Sequence, residues 1–109
     1  AGMILLAKDL VNDSVTHLGV MDISVRRNAY GSQIDSFSTK QVIPAVDSKE
    51  IELVFIRAPY ITSVKEGVKV LCELDGHIVA AEEKNMLVTS FHPELTDNTA
   101  FLKYFVSKI

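Results

Sequence analysis

The sequence has no surplus of basic residues. Eleven Lys and Arg stand against fourteen Asp and Glu, a formal net charge of −3. No positive field is therefore offered to a nucleic-acid backbone. No apolar run approaches the roughly 18 residues that cross a bilayer, and no charged-then-apolar leader ends in small residues. A single cysteine, Cys72, excludes an internal disulfide and agrees with a reducing cytoplasm. Repeats, low-complexity tracts and interdomain linkers are missing as well. What is present is 109 residues with 48% hydrophobic content, enough for one core. The expectation is a cytoplasmic globular domain with neither nucleic acid nor membrane as partner.

The two ends differ in kind. The chain closes on Ser107-Lys108-Ile109 but opens on Ala1-Gly2-Met3-Ile4-Leu5-Leu6-Ala7, apolar from the start and without a capping residue. This reads as a cut inside a larger fold. Residues 1–11 place Met3, Ile4, Leu6, Ala7, Leu10 and Val11 on one helical stripe, ended by the turn residues Asn12-Asp13-Ser14. Alternation in residues 18–25 predicts a strand, residues 34–42 a second, and residues 51–56 a third that Pro59 halts. After Gly67, Val68, Val70, Cys72 and Leu74 are expected on one strand face, with Lys69 and Glu73 on the other. Asp75-Gly76 predicts a two-residue hairpin with its return strand at 78–81. Residues 86–91 give another strand. Thr96-Asp97 is expected to cap a final helix that buries Leu102, Phe105 and Val106. Strands framed by helices give an α/β or α+β domain.

Chemistry is densest at Ser90-Phe91-His92-Pro93-Glu94-Leu95, at the end of a buried strand. In extended backbone His92 and Glu94 share a side. A carboxylate beside an imidazole fixes its tautomer and supports the imidazolium, as the base of a nucleophile requires. By itself a His-x-Glu is more often a surface pair; its strand-end position and neighbours reverse that reading in favour of the base.

Those neighbours carry a resemblance. Phe91-His92-Pro93-Glu94 resembles the His–Glu part of the Cys-His-Glu triad of class I glutamine amidotransferases. Arg27-Asn28-Ala29-Tyr30-Gly31, Val54-Phe55-Ile56-Arg57-Ala58-Pro59 and residues 90–96 resemble the vitamin B6 branch, the glutaminase subunits of pyridoxal 5′-phosphate synthase. The opening residues look like those that follow the cysteine of that family's Gly-x-Cys-Ala-Gly elbow. The likeness spans the chain and implies a flavodoxin-like α/β three-layer sandwich, of which residues 1–109 are the C-terminal part of a single glutaminase domain. It implies hydrolysis of L-glutamine to glutamate and ammonia, with the ammonia passed to a partner synthase subunit. His92 and Glu94 would be catalytic, and Arg27, Ile56 and Arg57 would line the glutamine pocket. No cofactor and no metal are implied. A small residue at Gly2 would suit a sharp strand-to-helix turn. Three features depart from the family: no cysteine precedes Ala1, Tyr60 stands where relatives commonly have histidine, and Ser32 where they commonly have arginine. The nucleophile, the oxyanion-hole glycines and about half of a doubly wound sheet would belong to a missing N-terminal half of the same domain.

Other residues read more plainly. Cys72 shares its expected face with Val70 and Leu74 and is a buried structural thiol. His17 and His77 lack metal-site spacing and are expected to be solvated. Gly31-Ser32-Gln33 lacks the second glycine of a serine elbow. Arg26-Arg27, without the resemblance, is a surface pair. Two other functions stay open: another class I amidotransferase, and a non-catalytic binding module of the same fold.

Overall fold

In a computed structural model of the chain, the residues described are 3, 6–11, 16–26, 36–56 and 58–108. Their architecture is mixed α/β, with strands β1 (Ala7–Leu10), β2 (Met21–Arg26), β3 (Ser36–Val42), β4 (Glu50–Ile56), β5 (Tyr60–Val64), β6 (Lys69–Leu74), β7 (His77–Glu83) and β8 (Met86–Thr89). A 3-10 turn at Pro93–Leu95 and helix α1 (Ala100–Ser107) follow. The main sheet runs β1-β2-β5-β7-β6, with β8 also paired to β7, while β3 and β4 form a separate antiparallel ribbon. One apolar cluster centres on Ile43, Leu53, Phe55, Val79, Phe91 and Phe101. A second gathers Met21, Ile23, Val25, Ile61, Ala81 and Val88.

Strand β2 follows its pattern, with Met21, Ile23 and Val25 buried and Asp22 and Ser24 between them half-buried. The Asp75-Gly76 turn also forms as expected. Both residues have positive φ (51° and 80°), the mark of a type I′ hairpin whose twist matches its strands.

Elsewhere packing overrides pattern. Met3 and Leu6 are helical, but Ala7–Leu10, expected to continue that helix, is strand β1, paired in parallel with β2. Ala7 and Leu10 are buried and Lys8 and Asp9 exposed, a spacing that a helix and a bulged strand both satisfy; the register shifts between Ala7 and Asp9. Strand β6 does not alternate cleanly. Its ladder shifts on both sides of Cys72, so Leu71 and Cys72 are buried together and Val70 is only half-buried. Strand β5 escaped the sequence reading because Pro59 looked like an end; it is an end, and a new strand starts one residue later.

The final helix differs most. Leu102, Phe105 and Val106 are 62%, 38% and 56% exposed, while Phe101 is buried at 4% and Tyr104 is half-buried. The expected cap is also displaced: Thr99 holds the N-cap position, and Asn98 Oδ1 accepts from the Ala100 N–H at 2.8 Å. Helix orientation is set by a polar clamp that periodicity does not reveal. Glu82 on β7 accepts the Tyr104 hydroxyl at 2.6 Å on one oxygen and the Lys108 ammonium on the other. Burial alone would push the Glu82 carboxyl up, but the hydrogen bonds from Lys108 and Tyr104 outweigh it and hold the carboxyl below its usual range. The same carboxylate, with burial, pushes the Tyr104 hydroxyl up to about 12.

A two-sided pH dependence follows. Above pH ~10 the unfolded tyrosine ionises while the folded one keeps its proton to about 12, so stability falls as pH rises across that window. Below the usual carboxylate pKa of 4.5, unfolded Glu82 takes up a proton that the folded state resists, so stability falls as pH drops. Urea denaturation at stepped pH checks this. Tyr104→Phe should cost about 1–2 kcal/mol near neutrality and flatten the alkaline limb.

Candidate active site

Three hydrogen bonds fix where the chain goes after β8. The Ser90 N–H donates to Val79 O at 2.7 Å, still within the main sheet. Two residues later the His92 N–H donates to Val54 O at 2.8 Å, on the β3–β4 ribbon. The Thr89 hydroxyl donates to Phe91 O at 2.8 Å across the same step. His92 is thus held where main sheet and ribbon meet. Pro93 then opens the 3-10 turn, which suits a residue with fixed φ and no N–H to donate.

The turn, not extended backbone, brings the two predicted groups together. His92 Nδ1 lies 2.9 Å from Glu94 Oε2, with side chains 40% and 65% exposed. The hydrogen bond from His92 holds the Glu94 carboxyl below its usual range. With Nδ1 bonded to a carboxylate, the proton sits on Nδ1 and Nε2 is the nitrogen that can exchange one.

Ile56 closes β4, two residues beyond the Val54 carbonyl that binds His92, and is 46% exposed. The ribbon therefore carries a predicted pocket residue and a backbone anchor for His92. Arg27, Arg57 and Ser32 lie outside the described residues, as do Gly2 and the Arg27–Gly31 motif apart from its preceding Arg26. Met3 is buried, with its sulfur 3.9 Å from the Ser90 hydroxyl. The opening helical residues thus abut the strand that leads to His92.

Cys72 is 6% exposed on β6, and burial, with a smaller contribution from Glu73, pushes its thiol up. That is the opposite of an activated nucleophile. Tyr60 pairs with Arg26 across β2 and β5 and stacks on His77, centroids 4.0 Å apart. His77, expected to be solvated, is half-buried in that stack, whereas His17 is exposed as expected. No group of three or more metal-ligating side chains occurs among the described residues. None of their helices is long and apolar enough to cross a membrane. Beside the site, Leu87, Pro93, Glu94, Phe101, Leu102 and Phe105 line an open apolar groove of about 490 Å³. Sequence reasoning missed this groove because it placed the apolar residues of α1 inside.

Strand β8 thus leads to a histidine braced by a carboxylate, a pairing with the chemistry to serve a nucleophile as base. Comparison makes the class specific: residues 1–109 match the SNO glutamine amidotransferase family, and the chain belongs to that family. It is 65% identical over 97% of its length to "Pyridoxal 5′-phosphate synthase subunit PdxT" of Thermoanaerobacter sp. (strain X514), covering 56% of that protein. It is 60% identical over 98% of its length to the protein of the same name in Clostridium kluyveri, covering 57%. A solved structure described as "Crystal structure of glutamine amidotransferase" superposes with a TM-score of 0.87 at 37% identity, over 96% of this chain and 55% of that one. The flavodoxin-like α/β expectation agrees with that likeness. The chain spans little more than half the length of these relatives.

Proposed function

We propose that the chain is the C-terminal portion of a glutaminase domain that supplies ammonia to a pyridoxal 5′-phosphate synthase subunit. The observation that carries this reading is the 2.9 Å His92–Glu94 bond at the end of β8. The cysteine would come from the portion of the domain not in this sequence. Met3 packed against Ser90 supports the approach of that segment to His92. The groove beside Glu94 and the exposed face of α1 are apolar surface that the remaining portion would cover.

In the mechanism, Nε2 of His92 takes the thiol proton as sulfur attacks the side-chain carbonyl carbon of L-glutamine. The resulting imidazolium, held by Glu94, returns that proton to the departing nitrogen, so ammonia leaves and a glutamyl thioester remains. His92 then draws a proton from water as its oxygen attacks the thioester. Glutamate departs and the thiol is restored. Arg27, Ile56 and Arg57 would hold the amino acid. Of these, Ile56 closes β4 on the ribbon whose Val54 carbonyl binds the His92 N–H.

The test is the full-length protein with its synthase partner and amide-labelled [15N]glutamine. Labelled ammonia and glutamate should appear in equal amounts, and the label should enter pyridoxal 5′-phosphate. Turnover of glutamine without that transfer would assign the domain to another amidotransferase pathway. Glu94→Gln should retain measurable activity, falling by up to about 10⁴-fold but less than on loss of His92, because Glu94 orients the base without exchanging the proton.

A further inference from the structure

Between Ser90 and His92 the backbone leaves one sheet and joins another. Ser90 N–H is bound to β7 and His92 N–H to β4. The single residue between them is Phe91, 2% exposed. Its ring meets Phe55 of β4 edge-on, centroids 5.7 Å apart at 73°. It meets Phe101 of α1 in the same manner, at 5.1 Å and 73°. Phe55 in turn stacks on Phe37 of β3, at 4.6 Å and 12°. A row of four rings therefore runs from the ribbon, beneath the base, to the final helix. Edge-to-face geometry resists sliding as well as separation, because the positive ring edge prefers the negative face.

We propose that Phe91 is a positioning residue: its ring, wedged between Phe55 and Phe101, sets the spacing between main sheet and ribbon and thereby holds His92 against Val54 in working geometry. The inference rests on the glutaminase reading. A backbone hydrogen bond alone leaves the ribbon able to shift along or away from β8; a close-packed ring does not. Because Ile56 lies on the same ribbon, a shift there would move the base relative to nucleophile and substrate together. Displacements of this size, far below unfolding, cost rate at saturating substrate.

The experiment uses Phe91→Leu in the full-length protein with its synthase partner, with Phe101→Leu as the second variant. Phe91→Leu should lower kcat about tenfold or more with KM for glutamine within about twofold, per mole of folded protein. Amide exchange at His92 should quicken at least about tenfold while Met86–Thr89 of β8 keeps its protection. An ordinary core role would instead lower stability and loosen β8 throughout. Unchanged kcat, a change confined to KM, or exchange rising equally along β8 would overturn the proposal. Should Phe91→Leu fail to fold, Phe101→Leu decides by the same criteria with a smaller expected loss. If the parent protein releases no glutamate from glutamine, the glutaminase reading fails instead, whatever the variants do.

Discussion

His92→Ala or His92→Asn in the full-length protein is expected to lower glutaminase turnover by ~10⁴-fold or more, with the fold retained. The histidine sits on a turn, its side chain is 40% exposed, and its N–H bond to Val54 belongs to the backbone. Removing the imidazole therefore empties no core. Asparagine keeps polarity and a donor near Glu94 but cannot exchange a proton at the thiol, so it should be no better than alanine. Steady-state glutamate release gives the rate, and thermal melting or circular dichroism gives the fold. Near-normal turnover in either variant would remove His92 from the role of base. Loss of melting cooperativity with loss of rate would show that the residue is structural instead.

The 109 residues alone are expected to release no glutamate from glutamine above the uncatalysed background. Their one cysteine is buried in β6 with its thiol pushed up. A thiol in that state is neither exposed nor ionised near neutrality. Supplying the preceding portion of the domain as a separate polypeptide should restore turnover, and Leu102→Asp with Phe105→Asp should prevent that by placing charge in the groove. Turnover by the chain alone would refute the account of the nucleophile. Restoration that the double variant leaves untouched would refute the account of the groove.

The sequence made the site more legible than the core around it. His92 and Glu94 could be paired because only a proline stands between them and leaves few ways for them to separate, although the pairing comes from a 3-10 turn and not from a strand. The Asp75-Gly76 hairpin was legible for a similar reason: the positive φ values that a type I′ turn demands admit few residues. Strand β1 was not legible, because Ala7 and Leu10 satisfy helical spacing and only the partner strand β2 decides between the two states. Nor was the face of α1. Its apolar residues point both ways, and the choice of Phe101 and Tyr104 as the inward pair is made by Phe91 and Glu82, distant in sequence. Arg27 and Arg57 were named on a resemblance, and their place in the pocket stands as a proposal.

The clamp at the end of α1 has a thermal consequence. Hydration of charged groups becomes less favourable as temperature rises, so the cost of keeping Glu82 and Lys108 out of water shrinks on heating. The apolar contacts around Phe101 gain no comparable advantage. Side-chain exposures of 11% for Glu82 and 16% for Lys108 place this pair among the groups for which that trend matters. On warming, the C-terminal turn of the helix should therefore hold to β7 better than its length suggests.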